Sequence, residues 1–183
     1  VHPIITKGGD LVNSVPADVR IETYVRAKTM EAIEATHKKV DTALKAGGDA
    51  VGAQTVIATM PGQLPLACNN RLNELFVTNA KIAEPNVAVK DAGHFSASTD
   101  MGDVSHLLPV IHPFIGGVDG FLHTADFHVV DFKHAVLLPA KAFAMMIIDL
   151  LADDAELARQ IKAEHHPLLT KEEYIAKLDK YFQ

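Results

Sequence analysis

The sequence predicts an α/β protein built in two parts, and three observations carry that expectation. Val19 to Arg26 alternates apolar and polar side chains, the pattern of a half-buried strand. Met30, Ile33, His37, Val40 and Leu44 recur at helical spacing, the pattern of an amphipathic helix. Beyond residue 66 the pattern changes to apolar helices separated by glycine-bearing loops, which sets an expected boundary between parts 1–66 and 67–183.

The elements of the first part follow in order. The chain opens on Val1 and runs directly into His2-Pro3-Ile4-Ile5-Thr6, so it is expected to start inside a longer domain, with His2 to Thr6 as a strand. Gly8 and Gly9 close that run. Asn13-Ser14-Val15-Pro16 is expected to turn, because proline fixes its own φ and drives its predecessor to extended geometry. In the next strand Val19, Ile21, Thr23 and Val25 face one way, and Arg20, Glu22, Tyr24 and Arg26 the other. Thr29 to Ala46 is expected to be helical, with Glu31 and Glu34 near its start and Gly47-Gly48 ending it. Gln54 to Met60 is expected as a further strand before a turn at Pro61-Gly62. Strands and one helix in this order describe most of a small α+β lobe.

In the second part, Asn70 to Ile82 is expected to be a helix with Leu72, Leu75, Phe76 and Ile82 inward. Val87 to Val89 reads as a short strand, Gly93 to Ser105 as a polar loop, and Val110 to Ile115 as a strand interrupted by His112 and Pro113. Gly116, Gly117 and Gly120 lead to Leu122-His123. Pro139 suits the first turn of a helix running to about Leu151. Asp153 with Glu156, and Thr170 with Glu173, match capping boxes.

Bulk properties bound the function. The 183 residues are 48% hydrophobic and 22% charged, as in a globular chain with a real core. A net charge of −6 argues against nucleic acid as a partner. No run of apolar residues is long enough to span a membrane without interruption. The most apolar region, Ala135 to Ala152, is broken by Pro139, Lys141 and Asp149 and is expected as a buried helix, so no membrane partner is expected. The single cysteine, Cys68, excludes an internal disulfide framework and fits a reducing cytoplasm.

Three groups of residues could carry chemistry. Four of the ten histidines, His106, His112, His123 and His128, lie within a short stretch, and neutral imidazole is the commonest metal ligand. Their spacing matches no metal motif, and a lone histidine is more often structural. The Ser96 to Ser105 loop, with Ser98 and Thr99, could donate to a substrate oxygen, although an Asx turn or helix cap explains its composition as well. Asn13 and Arg26 could grip a carboxylate, Arg26 in bidentate fashion; taken alone they read as a turn residue and a solvated strand residue.

Ile5-Thr6-Lys7-Gly8-Gly9-Asp10-Leu11-Val12-Asn13-Ser14-Val15-Pro16, followed by Tyr24-Val25-Arg26-Ala27, resembles the lid signature of the aminoacylase and carboxypeptidase G family of dinuclear-zinc amidohydrolases. Ser98-Thr99-Asp100-Met101-Gly102-Asp103-Val104-Ser105 resembles the corresponding loop of the aminobenzoyl-glutamate-utilisation branch. Leu122-His123-Thr124, with an acidic residue and a long apolar helix behind it, is similar to the last metal-ligand segment. The three motifs occur in the family's order.

The resemblance implies a partial zinc-peptidase-like α/β catalytic domain, with residues 1–66 as part of an inserted α+β lid through which the enzyme forms a homodimer. It implies two divalent metal ions, zinc with manganese or cobalt as alternatives, and His123 as a ligand to one of them. It implies that Asn13 and Arg26 grip the substrate's free carboxylate and that Ser98 and Thr99 line the substrate side of the cleft. The substrates would be N-acyl or N-aroyl amino acids and small dipeptides. The family's His-x-Asp pair, bridging aspartate and catalytic Glu-Glu have no counterpart here; the one Glu-Glu, Glu172-Glu173, lies in the terminal capping box. A catalytic zinc takes three protein ligands, so the chain is expected to be inactive alone and to need a missing amino-terminal half. Two alternatives stand beside this: a non-catalytic interaction module pairing through His2 to Thr6, and an independent zinc site built from His106, His112, His123 and His128.

Overall fold

The structure is a computed structural model that describes residues 1–91, 93 and 97–180. Helices dominate and the sheets are small, an arrangement compatible with α/β. The chain divides into two compact units, one formed by Val1–Pro61 and the other by Gly62–Gly93 and the residues from Ser98 onward.

In the first unit, β1 (His2–Lys7) pairs antiparallel with β2 (Arg20–Tyr24), Ile5 opposite Ile21 and His2 opposite Tyr24, with a register shift between Ile5 and Lys7. Asp18 ties the base of this hairpin together, its carboxylate 3.0 Å from Lys7 Nζ and 2.9 Å from an Arg20 guanidinium nitrogen. The Arg20 and Lys7 hydrogen bonds hold the Asp18 carboxyl below its ordinary range. Helix α1 (Met30–Ala50) starts at Thr29, whose hydroxyl accepts from the Ala32 N–H at 3.3 Å. It runs through Gly47-Gly48 rather than stopping there, and the chain turns at Gly52 with φ 71°.

The expected strand Gln54 to Met60 is not formed. Thr55, Ile57 and Thr59 are half-buried while Val56, Ala58 and Met60 are exposed, so the period of two survives without a ladder. A strand exists only where a second backbone takes its N–H and C=O groups, and none of the described residues does so here. Val87 to Val89 and Val110 to Ile115 likewise form no strand, for the same reason.

The second unit is built on α2 (Asn70–Ala83) packed against α4 (Leu138–Glu164). Leu72, Phe76 and Ala80 meet Ala142, Met146 and Ile161, and the Phe76 and Phe143 rings lie 4.8 Å apart between centroids. Asn69 caps α2, accepting from the Leu72 N–H at 3.1 Å, while its own N–H reaches the Val110 carbonyl at 2.8 Å. Asn79 is buried in this interface and donates to Leu75 O and to Asp149 Oδ2 at 2.7 Å.

Three departures concern Met101–Ser105 and α4. Met101–Ser105 is a short helix, α3, inside the segment expected as loop. Helix α4 does begin with Pro139 in its first turn, after a π-helical turn at Lys133–Leu137, but it is not the buried helix expected. Ile147, Ile148 and Leu151 are exposed, and of the helix only Leu138, Ala142, Met146 and Ile161 are buried. By length and composition alone this helix is long and apolar enough to cross a membrane, a criterion that core helices also meet. Its regular path is interrupted at Ala152–Ala155, where Asp153, Asp154 and Ala155 have φ of 49°, 58° and 58°. The capping box expected from Asp153 to Glu156 is thus replaced by a left-handed break, since a cap residue needs extended geometry. Helix α5 (Lys171–Asp179) has the capping box expected, with Thr170 N donating to Glu173 at 2.7 Å and Glu173 N to Thr170 at 3.1 Å.

Candidate functional site

His123 occupies the turn between β3 (Val118–Asp119) and β4 (His128–Val129), which pair antiparallel. The loop is folded by main-chain contacts. Phe121 O accepts from Thr124 N at 3.2 Å and from the Thr124 hydroxyl at 2.6 Å, and Phe127 N donates to Thr124 O at 3.3 Å. Gly120 and Gly117, with φ of 87° and 88°, let two strands of backbone meet. A Cβ on Gly120 would lie 2.5 Å from Asp126 O, and one on Gly117 would lie 2.6 Å from Asp131 O. His123 itself has φ 66°, a left-handed conformation uncommon outside glycine and a mark of sites where a side chain is held in one direction. Its imidazole is exposed.

Behind the hairpin, Asp131 joins the loop to the long helix. It accepts from the His134 N–H at 3.1 Å and lies 2.6 Å from His134 Nδ1. These bonds from His134 hold the Asp131 carboxyl below its ordinary value. The pair leaves only a short trace in the sequence, an Asp three residues before a His at the start of a helix.

Metal chemistry is tested by the donor set. Among the described residues, no three His, Cys, Asp or Glu side chains converge as a metal site would require. The four-histidine site is not assembled, and its members have other surroundings. His106 is 5% exposed with Nε2 2.9 Å from Pro65 O, His128 Nδ1 lies 2.5 Å from Asp126 O, and His112 rests edge-on to Phe114. The described residues of this chain do not by themselves fit a metal ion; His123 is an exposed histidine standing without other ligands near it in that set.

The other expected site residues divide between the units. Asn13 lies exposed in the loop joining β1 to β2, in a turn closed by Ser14 N to Leu11 O at 3.3 Å. Arg26 follows β2, its guanidinium carbon 5.0 Å from the Tyr24 ring centroid. Ser98 and Thr99 belong to the second unit, Ser98 exposed and Thr99 turning the chain into α3. Thr99 Oγ1 accepts from Met101 N at 3.4 Å and Thr99 O from Gly102 N at 2.8 Å, the local turn chemistry that composition allowed. Among the described residues no hydrogen bond joins Ser98 or Thr99 to His123. Ser96, in the same motif, lies outside the described residues.

No family model and no solved structure matches the chain. Two curated relatives do. A mouse protein named Xaa-Arg dipeptidase is 30% identical over 165 residues, covering 86% of this chain and 38% of the relative. The human Xaa-Arg dipeptidase is 26% identical over 183 residues, covering 96% of this chain and 42% of the relative. The chain therefore spans about two fifths of the length of these relatives. The relationship is that of a distant homologue to peptidases and amidohydrolases, and it does not single out the aminobenzoyl-glutamate branch.

Proposed function

We propose that this chain forms part of a metal-dependent amidohydrolase of dipeptidase type, acting on small dipeptides or N-acyl amino acids with a free carboxylate. The similarity to dipeptidases along almost the whole chain is the observation that carries the proposal. The hairpin geometry supports it: an exposed imidazole on a left-handed residue, fixed by backbone contacts, suits a ligand presented to a metal. His123 contributes one ligand, and residues outside this chain contribute the others and the general base. Arg26 and Asn13 bind the substrate carboxylate, and Ser98 and Thr99 face the substrate, in an enzyme that works as a homodimer in a reducing cytoplasm.

Metal analysis tests this directly. In the complete enzyme, His123→Ala lowers bound metal and abolishes turnover, while the chain by itself hydrolyses nothing and retains little metal. Unchanged metal content in the His123 variant would sink the ligand assignment. Stoichiometric zinc on the isolated chain would show that its own residues suffice.

A further inference from the structure

A knot of polar contacts in the second unit joins residues 63–67 to Asp103, Ser105 and His106. Residues 63–67, just after the first unit ends at Pro61, are held at three main-chain groups by side chains of α3 and of His106 just after it. Leu64 N donates to Asp103 Oδ1 at 3.3 Å, Ala67 N to Ser105 Oγ at 3.0 Å, and Pro65 O meets His106 Nε2 at 2.9 Å. The Gln63 side chain donates to Asp100. These side chains stand where a neighbouring strand would otherwise supply partners, and an unpartnered peptide group in a buried segment is costly.

His106 is one of three buried polar residues among those described. It is 5% exposed, and a histidine costs more to bury than a leucine unless its ring nitrogen is used. Its nitrogen is used, on a carbonyl of the segment leaving the first unit, and its own carbonyl accepts from Leu169 N at 3.0 Å. At the other end of α3, Gly102 N holds Thr99 O at 2.8 Å. A shift of residues 64–67 therefore reaches Thr99 through one rigid turn of helix.

We propose that His106 is a positioning residue: by gripping the peptide at Pro65 it locks residues 64–67 onto α3 and so fixes Ser98 and Thr99 for substrate. What Ser98 and Thr99 bind rests on the amidohydrolase proposal; the coupling of residues 64–67 to Thr99 does not.

The test uses the complete enzyme with His106→Ala, His106→Gln, whose amide nitrogen can replace Nε2, and the exposed variant Gln63→Ala. With an N-acyl amino acid, His106→Ala is expected to raise KM about tenfold with kcat within about threefold and metal content unchanged. His106→Gln recovers most of the loss, and Gln63→Ala gives a smaller rise in KM. Hydrogen exchange in His106→Ala accelerates together at residues 64–67 and 99–102, and the Gln variant reverses both. Acceleration confined to 64–67, or an unchanged KM with both segments loosened, overturns the proposal. If the wild-type enzyme cleaves no amide, the amidohydrolase proposal fails while the exchange measurement still decides the coupling. Should His106→Ala not fold, an unchanged KM and unchanged exchange in Gln63→Ala overturns it.

Discussion

Gly102 presses against Leu64 so closely that a Cβ on the glycine would stand 2.0 Å from the Leu64 carbonyl oxygen. Gly102 lies inside a helical turn with ordinary backbone, where alanine would normally be stabilising by about 0.5–1 kcal/mol. Here the sign reverses. Gly102→Ala is expected to cost about 1–3 kcal/mol as two backbones are forced apart, seen as a melting temperature lower by several degrees. An unchanged or higher melting temperature would show that the two segments separate freely.

Asp131 makes acid stability depend on the hairpin's far end. Its carboxyl is held below the ordinary 3.8 by the His134 side-chain and backbone bonds. A carboxyl with a depressed folded-state pKa stabilises fully above its unfolded value and loses that contribution as pH falls through the folded value. Melting of the wild type is thus expected to fall more steeply below about pH 4 than melting of Asp131→Asn. Parallel curves would mean that the contact is not kept in solution.

Asn79 is 2% exposed where α2 meets α4. Asn79→Ala removes the bond to Asp149 and leaves a gap beside Phe76, at an expected cost of about 1–3 kcal/mol. Asn79→Asp should be worse near neutral pH, because it sets two carboxylates side by side, and should recover as pH is lowered. Denaturant titrations at two pH values check both.

Arg26 is expected to act on binding and not on bond cleavage. In the complete enzyme, Arg26→Ala should raise KM about tenfold or more for a substrate with a free carboxylate, leaving kcat nearly unchanged. The same substrate amidated at its carboxylate should be indifferent to the substitution. Equal losses on both substrates would remove Arg26 from carboxylate recognition.

What the sequence reveals follows the range of the forces involved. Thr29, Asn69 and Thr170 mark their helix starts because a cap is settled within three residues. Gln54 to Met60, Val87 to Val89 and Val110 to Ile115 show strand patterning without strands, because pairing depends on a distant backbone that local pattern does not name. The α3 helix was hidden since its residues serve residues 63–67, far away in sequence. At the candidate site, His123 is visible through its neighbours in a motif, but its left-handed backbone and the Asp131–His134 pair are not, because each arises from how the loop closes on itself.

The two glycine contacts beneath His123 have a consequence for how such a loop can change. Main chain fills the interior of the hairpin, so Phe121, Leu122 and Val130 point outward and bear little of its folding. Substitution at those positions can recast the chemical neighbourhood of the imidazole while leaving its position untouched. The loop separates where the ligand stands from what surrounds it, and only the second of these is free to drift.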